Sequence, residues 1–137
     1  MTVDYILDSS MAIEWIIPSA DPDEADASAA AFERLSEGRA LVPHLWRFEV
    51  MNVITRMYRR GDITKAELPR LLTDAFSLVD GFTDEGWPKD VVELAATHHL
   101  SGYDAAYLSA AMFAELPLAT LDASLRRAAV EAGVALA

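Results

Sequence analysis

Residues 4–15 read DYILDSSMAIEW, and their reading decides the fold. A short apolar run, Tyr5-Ile6-Leu7, stops abruptly at a carboxylate, Asp8. Two serines follow, and a second apolar run begins. The run from Val3 to Leu7 predicts a short buried strand. Ser9 or Ser10 is the right residue type to cap a helix over Met11–Ile17, which Pro18 closes. Asp8, at the junction, fits three roles: a helix cap, a turn residue, or part of a site.

The same alternation recurs along the chain. SADPDEADASAAAFERLSEG predicts a helix starting near Pro22, with acids in its first turn where they suit the helix dipole, and Gly38 ending it. RALVP is a second strand. His44–Arg60 is a long helix stopped at Gly61, and Thr64 with Glu67 forms a capping box for a further helix to about Asp74. FSLVDGF predicts a third strand, Trp87–His98 a helix, GYDAAYLSAAMFAE another, and LPLATLD a fourth strand ending in Asp122. A last helix to about Ala132 and a short strand in GVALA complete the pattern. Strands alternating with helices predict an α/β domain with a parallel sheet. Connections are short and no low-complexity stretch interrupts them, so one domain is expected over residues 1–137.

Bulk properties restrict the function. A hydrophobic fraction of 53% argues against disorder, and 137 residues suffice for a core without disulfides. The absence of cysteine excludes thiolate metal sites and fits a reducing compartment. No apolar run is long enough to span a membrane, and MTVDYIL lacks the features of a signal peptide, so a cytoplasmic protein with no membrane association is expected. The net charge of −11 is unusual for a nucleic-acid binder, because phosphate contacts need Lys and Arg. Acidity of this kind also serves solubility, a basic partner or metal binding.

Four acids stand out. In a parallel sheet, ligands bind at the carboxyl ends of the strands. Asp8 and Asp122 are expected there, in LDSS and LDAS, although Asp and Ser at such places also cap helices. Glu49 sits in PHLWRFEVMNVITRMYRR, and its neighbours three and four residues away are Leu45, Trp46, Asn52 and Val53, none a cation. Asp104, in SGYDAAYLSAAMF, likewise has no local cation, though it too fits an N-cap after Gly102. Asp122 has Arg126 four residues on, a possible partner. Clustered carboxylates without cations repel, and a hard divalent cation such as Mg²⁺ or Mn²⁺ converts that repulsion into binding.

On these residues the chain resembles the PIN-domain ribonucleases, most closely the VapC-type toxins of bacterial toxin–antitoxin pairs. The matching segments are YILDSSMAIEW, LVPHLWRFEVMNVI, LSGYDAAYLSAA and LPLATLDASL, in the family's order and spacing and across essentially the whole chain. The resemblance implies a three-layer fold, with a central, mostly parallel sheet of four to five strands flanked by helices. It also implies a homodimer, an RNA substrate and a cognate VapB-type antitoxin. It maps the acidic site onto Asp8, Glu49, Asp104 and Asp122, with Ser10, Asn52 and Thr120 as accessory residues. One or two Mg²⁺ or Mn²⁺ ions would be held by Asp8, Asp104 and Asp122, with Glu49 either a ligand or the residue orienting the attacking water. Glu14 departs from the family, standing where many relatives carry a basic residue.

Setting the four site acids aside leaves 18 acids against 11 bases, so the site does not account for the acidity. Local basic patches would have to meet RNA; Arg56, Arg59 and Arg60 form one candidate, Arg126 and Arg127 another, though basic residues also suit helix C-termini. His44, His98 and His99 are expected in packing or surface roles. Trp46, Val50, Val53 and Met57 follow helical spacing and are assigned to the core, with a dimer contact as the alternative. Three rival readings remain. A phosphatase of the haloacid-dehalogenase type needs a second Asp where Ser10 stands. A receiver domain needs an acidic pair and a late Lys that PLATLD lacks. A catalytically inactive PIN-like binding module would have no need of four acids.

Overall fold

A computed structural model describes residues 3–137. Strand β1 (Tyr5–Leu7) is buried throughout. It pairs in parallel with β2 (Ala40–Val42), in the register Tyr5 to Ala40 and Ile6 to Leu41. On its other side it pairs in parallel with β4 (Leu118–Ala119), Leu7 facing Ala119. The edge strand β3 (Gly81–Phe82) joins β2. The sheet order is therefore β3-β2-β1-β4, all parallel. The chain runs outward from β1 through β2 to β3, then returns to the far side of β1. The order reverses between β1 and β4, which is where an open parallel sheet leaves a crevice at its carboxyl edge.

Among the described residues seven helices flank this sheet: α1 (Ser9–Ile16), α2 (Pro22–Leu35), α3 (Leu45–Arg59), α4 (Leu68–Ser77), α5 (Pro88–His98), α6 (Gly102–Ala114) and α7 (Ala123–Glu131). They fall into two packed groups, α1 with α2, α3 and α4, and α6 with α5 and α7. Trp46 and Val50 of α3 are fully buried, as their spacing predicts, while Val53 and Met57 are half-buried. Helix α6 is buried from Ala105 to Ala111, and its small residues let it lie close against β1, α5 and α7. Among the described residues no helix is long and apolar enough to cross a membrane.

Several expectations change. Helix α1 starts at Ser9, so Asp8 rather than a serine holds the N-cap position. The Thr64–Glu67 box does form, with Thr64 N–H donating to Glu67 Oε1 at 2.9 Å, but in the turn before α4. Helix α4 then continues to Ser77, because Leu68, Leu71, Leu72, Ala75 and Phe76 all face the core and Phe76 packs edge-on against Trp46. Only Gly81–Phe82 of FSLVDGF is strand. GVALA contributes a single parallel bridge, Leu136 to Leu118.

Candidate functional site

Asp8 occupies a cap position, yet its carboxylate makes no side-chain capping bond to α1. Its Oδ2 instead accepts the hydroxyls of Thr120 at 2.6 Å and Ser10 at 2.8 Å. Those hydroxyls accept in turn, Ser10 Oγ from Leu121 N–H at 3.1 Å and Thr120 Oγ1 from Asp122 N–H at 3.1 Å. LDSS and ATLD therefore interlock, fastening the end of β1 to the end of β4. Burial pushes the Asp8 carboxyl above the usual carboxylate range; the Thr120 and Ser10 bonds oppose this, and the charge of Glu49 adds to it.

Glu49 reaches the same crevice from α3. Its Oε1 accepts the Tyr107 hydroxyl at 2.6 Å and the Ser9 hydroxyl at 3.3 Å. Burial raises its pKa, against the pull of those two bonds, and Asp104 raises it further. Asp104 enters from the first turn of α6, where Ser101 is the cap: Ser101 Oγ accepts Asp104 N–H at 3.1 Å. The Asp104 carboxylate is thus not spent on capping. Burial holds its pKa up, and so do the charges of Asp122 and Asp8. Asp122 does both jobs, lining the crevice while its Oδ1 accepts Leu125 N–H at 2.8 Å to cap α7.

The four acids line one cleft of about 370 Å³, together with Ser9, Ser10, Asn52 and Arg56. Among the described residues none of the four makes an ion pair. Thr120 is fully buried and acts through Asp8 and Asp122. Of the five candidate arginines only Arg56 lines the cleft. Arg60 pairs with Asp62; Arg126 donates to the Thr120 carbonyl instead of pairing with Asp122; Arg127 donates to the His98 carbonyl. Glu14 is buried and accepts Ser19 N–H at 2.8 Å, a structural bond at the end of α1. His98 bonds Glu131 and His44 stacks on Phe82, so both hold packing roles.

Two residues that hold Glu49 in place escape sequence reasoning in that role, Ser9 in the cleft and the buried Tyr107 behind it. Tyr107 lies three residues after Asp104, hence on the same helix face; that spacing places it near the site but does not announce its bond to Glu49. Burial pushes its phenol far above the ordinary tyrosine value, so it stays a hydrogen-bond donor to Glu49.

Among the described residues no three Asp, Glu, His or Cys side chains stand close enough to form a ready cage for a metal ion. The donor set itself is all hard oxygen and makes no ion pair among the described residues, and Mg²⁺ keeps several waters and takes as few as one or two carboxylates. The residues present therefore fit such an ion without enclosing it.

A family model described as PIN domain matches residues 5–131. Among solved structures, the crystal structure of PAE2754 from Pyrobaculum aerophilum superposes with a TM-score of 0.68 over 93% of this chain and 86% of that one, at 24% identity, a likeness of fold. No curated protein matches.

Proposed function

The chain belongs to the PIN-domain family, with its nuclease-type fold, and from that premise we propose that it is a Mg²⁺- or Mn²⁺-dependent endoribonuclease of the VapC toxin type. It acts in the cytoplasm as a homodimer of single-domain chains, restrained by a VapB-type antitoxin. The observation that carries the reading is the convergence of Asp8, Glu49, Asp104 and Asp122 on one cleft at the β1/β4 reversal, with no ion pair to neutralise them. Membership in the family displaces the phosphatase and receiver readings. The inactive binding module keeps one observation in its favour, the lack of a ready three-ligand cage.

In this reading Asp8, Asp104 and Asp122 would hold the ion. Thr120 and Ser10 fix the Asp8 carboxylate through Oδ2, which leaves Oδ1 to face the cleft with only a long 3.4 Å contact from Ser9. Tyr107 and Ser9 grip Oε1 of Glu49 and fix the direction of its other oxygen, which positions Glu49 to orient a water or complete the ligand set. A bound divalent ion supplies a lowered pKa for its water and a positive field for the charge developing on the phosphate. Arg56, at the cleft wall, meets the phosphodiester.

The test is cleavage of labelled RNA by the purified protein with Mn²⁺ or Mg²⁺, and its loss with EDTA. Asp8→Asn and Asp104→Asn should each lower the rate by about 100-fold or more. Full activity in both variants sinks the site assignment, and no cleavage by the unmodified protein with either metal favours the binding module.

A further inference from the structure

Beside the acidic cleft lies a second hollow, of about 630 Å³, whose chemistry is opposite. Leu45, Phe48 and Tyr103 form its apolar wall, and Glu49 and Asn52 line both hollows, so the two are continuous. Phe48 is 66% exposed and Tyr103 68%. Of the other exposed rings, Phe32 and Phe82 lean on Trp15 and His44, whereas Phe48 and Tyr103, like Tyr58, Trp87 and Phe113, pack on no aromatic ring among the described residues; what sets Phe48 and Tyr103 apart is the hollow they share with Glu49 and Asn52. Each ring directly precedes a cleft acid, Phe48 before Glu49 on α3 and Tyr103 before Asp104 on α6. Successive helical residues diverge by about 100°. One helix turn thus sends an acid into the cleft and a ring to its rim, twice.

We propose that this hollow is a nucleobase subsite, in which Phe48 and Tyr103 stack on an unpaired base next to the phosphodiester in the acidic cleft. The proposal rests on the ribonuclease reading and adds to it a base-stacking site on the rim of the acidic cleft. A chain of net charge −11 with one arginine at its cleft has little phosphate attraction to draw on. Base–aromatic stacking does not depend on charge and tolerates any base. Asn52, with donors and an acceptor in its amide, faces the same space and can meet a base edge. A base held in a duplex offers no free face to either ring. A partner helix is the less suited occupant, since the hollow's apolar wall is three side chains long and opens directly onto carboxylates.

The experiment uses a short RNA carrying 2-aminopurine, whose fluorescence is quenched on stacking, bound in Mg²⁺ to full-length protein made inactive by Asp104→Asn. Phe48→Ala and Tyr103→Ala should each weaken binding about tenfold and reduce the quench. In the active protein the same changes should raise KM with kcat held. Phe113→Ala, an equally exposed ring in another hollow, is the control and should do neither. The RNA in duplex form should bind at least tenfold more weakly than the single strand. If RNA is cleaved in Mn²⁺ but both variants bind it normally, or duplex binds as well as single strand, the subsite is wrong and the nuclease reading survives. If both variants bind RNA normally and lose a helical protein partner, the hollow is a protein-docking surface. If the unmodified protein neither binds nor cleaves RNA, the nuclease reading falls and the subsite with it.

Discussion

At the scale of single residues, Asp8 carries an opposition between stability and chemistry. It is 4% exposed, and its folded carboxyl titrates above the ordinary value of 3.8. The folded state therefore binds more protons than the unfolded chain across the window from that value upward. Stability falls as pH rises through the window, and the penalty is fully present above it. Asp8→Asn keeps an oxygen to accept the Ser10 and Thr120 hydroxyls and removes the charge. In EDTA at pH 7.5 the variant should melt about 3–5 °C above the unmodified protein, the shift that ~1 kcal/mol produces at this chain length. Near pH 3 that gain should vanish. An Asn variant that melts lower at neutral pH would show that the charge is not costly in the folded chain. Tyr107→Phe tests the other tether. It leaves the ring and removes only the 2.6 Å bond to Glu49. The variant should lose roughly 1 kcal/mol of stability and about tenfold or more in kcat, because Glu49 is left in its place but no longer aimed. Unchanged kcat would make Tyr107 a packing residue only. These two side chains also mark what could be read in advance. Asp8 and Asp122 were legible from their places after apolar strands in LDSS and LDAS, and Glu49 and Asp104 from the lack of a cation three or four residues away; Arg126, the local candidate partner of Asp122, bonds the Thr120 carbonyl instead. The bonds that hold them span 40 residues for Ser9–Glu49, 58 for Tyr107–Glu49 and 112 for Thr120–Asp8. No local spacing encodes such pairs, so Ser9 and Tyr107 stayed hidden.

At the scale of elements, α6 joins fold to site. Ser101, Asp104 and Tyr107 recur every three residues, placing cap, acid and Glu49 tether along one helix stripe. Ser101→Ala removes the cap and should cost about 1 kcal/mol in urea unfolding. It should also lower RNA cleavage by more than that loss of folded protein explains, since the fraying turn carries Asp104; Ser101→Asp should restore both. Equal effects on folding and activity would confine Ser101 to capping. The alternation of strands and helices was legible because buried strands and capped helices carry separate signals. It failed where signals overlap. FSLVDGF looks like a strand by composition, yet Phe76 continues the helical stripe of α4 onto Trp46, and packing decides. Gly38 shows the same limit. A Cβ there would collide with the Val3 carbonyl oxygen, a close approach of two backbones that no local pattern announces.

At the scale of the whole molecule, the problem is charge. A chain of −11 must bring a polyanion to a cleft that is itself acidic. The ordinary solution, a basic surface, is absent from the cleft: Arg60 and Arg127 are engaged by Asp62 and Glu131, Arg126 is bonded to a backbone carbonyl, and only Arg56 remains at the wall. Counterion release scales with the number of phosphates neutralised, with a slope of about −0.7 per contact on single strands. One or two contacts predict that RNA affinity falls by only about three- to sevenfold between 50 and 200 mM salt, against factors of 10³ or more for a binder with many phosphate contacts. The divalent ion and the exposed rings would carry the remaining affinity, and neither depends strongly on monovalent salt. Titrating a fluorescent single-stranded RNA against the protein in Mg²⁺ at several salt concentrations measures the slope directly. A slope steeper than about −3 would require about five or more phosphate contacts. Arg59, Arg60, Arg126 and Arg127 would then have to leave the positions they hold here and turn toward the RNA.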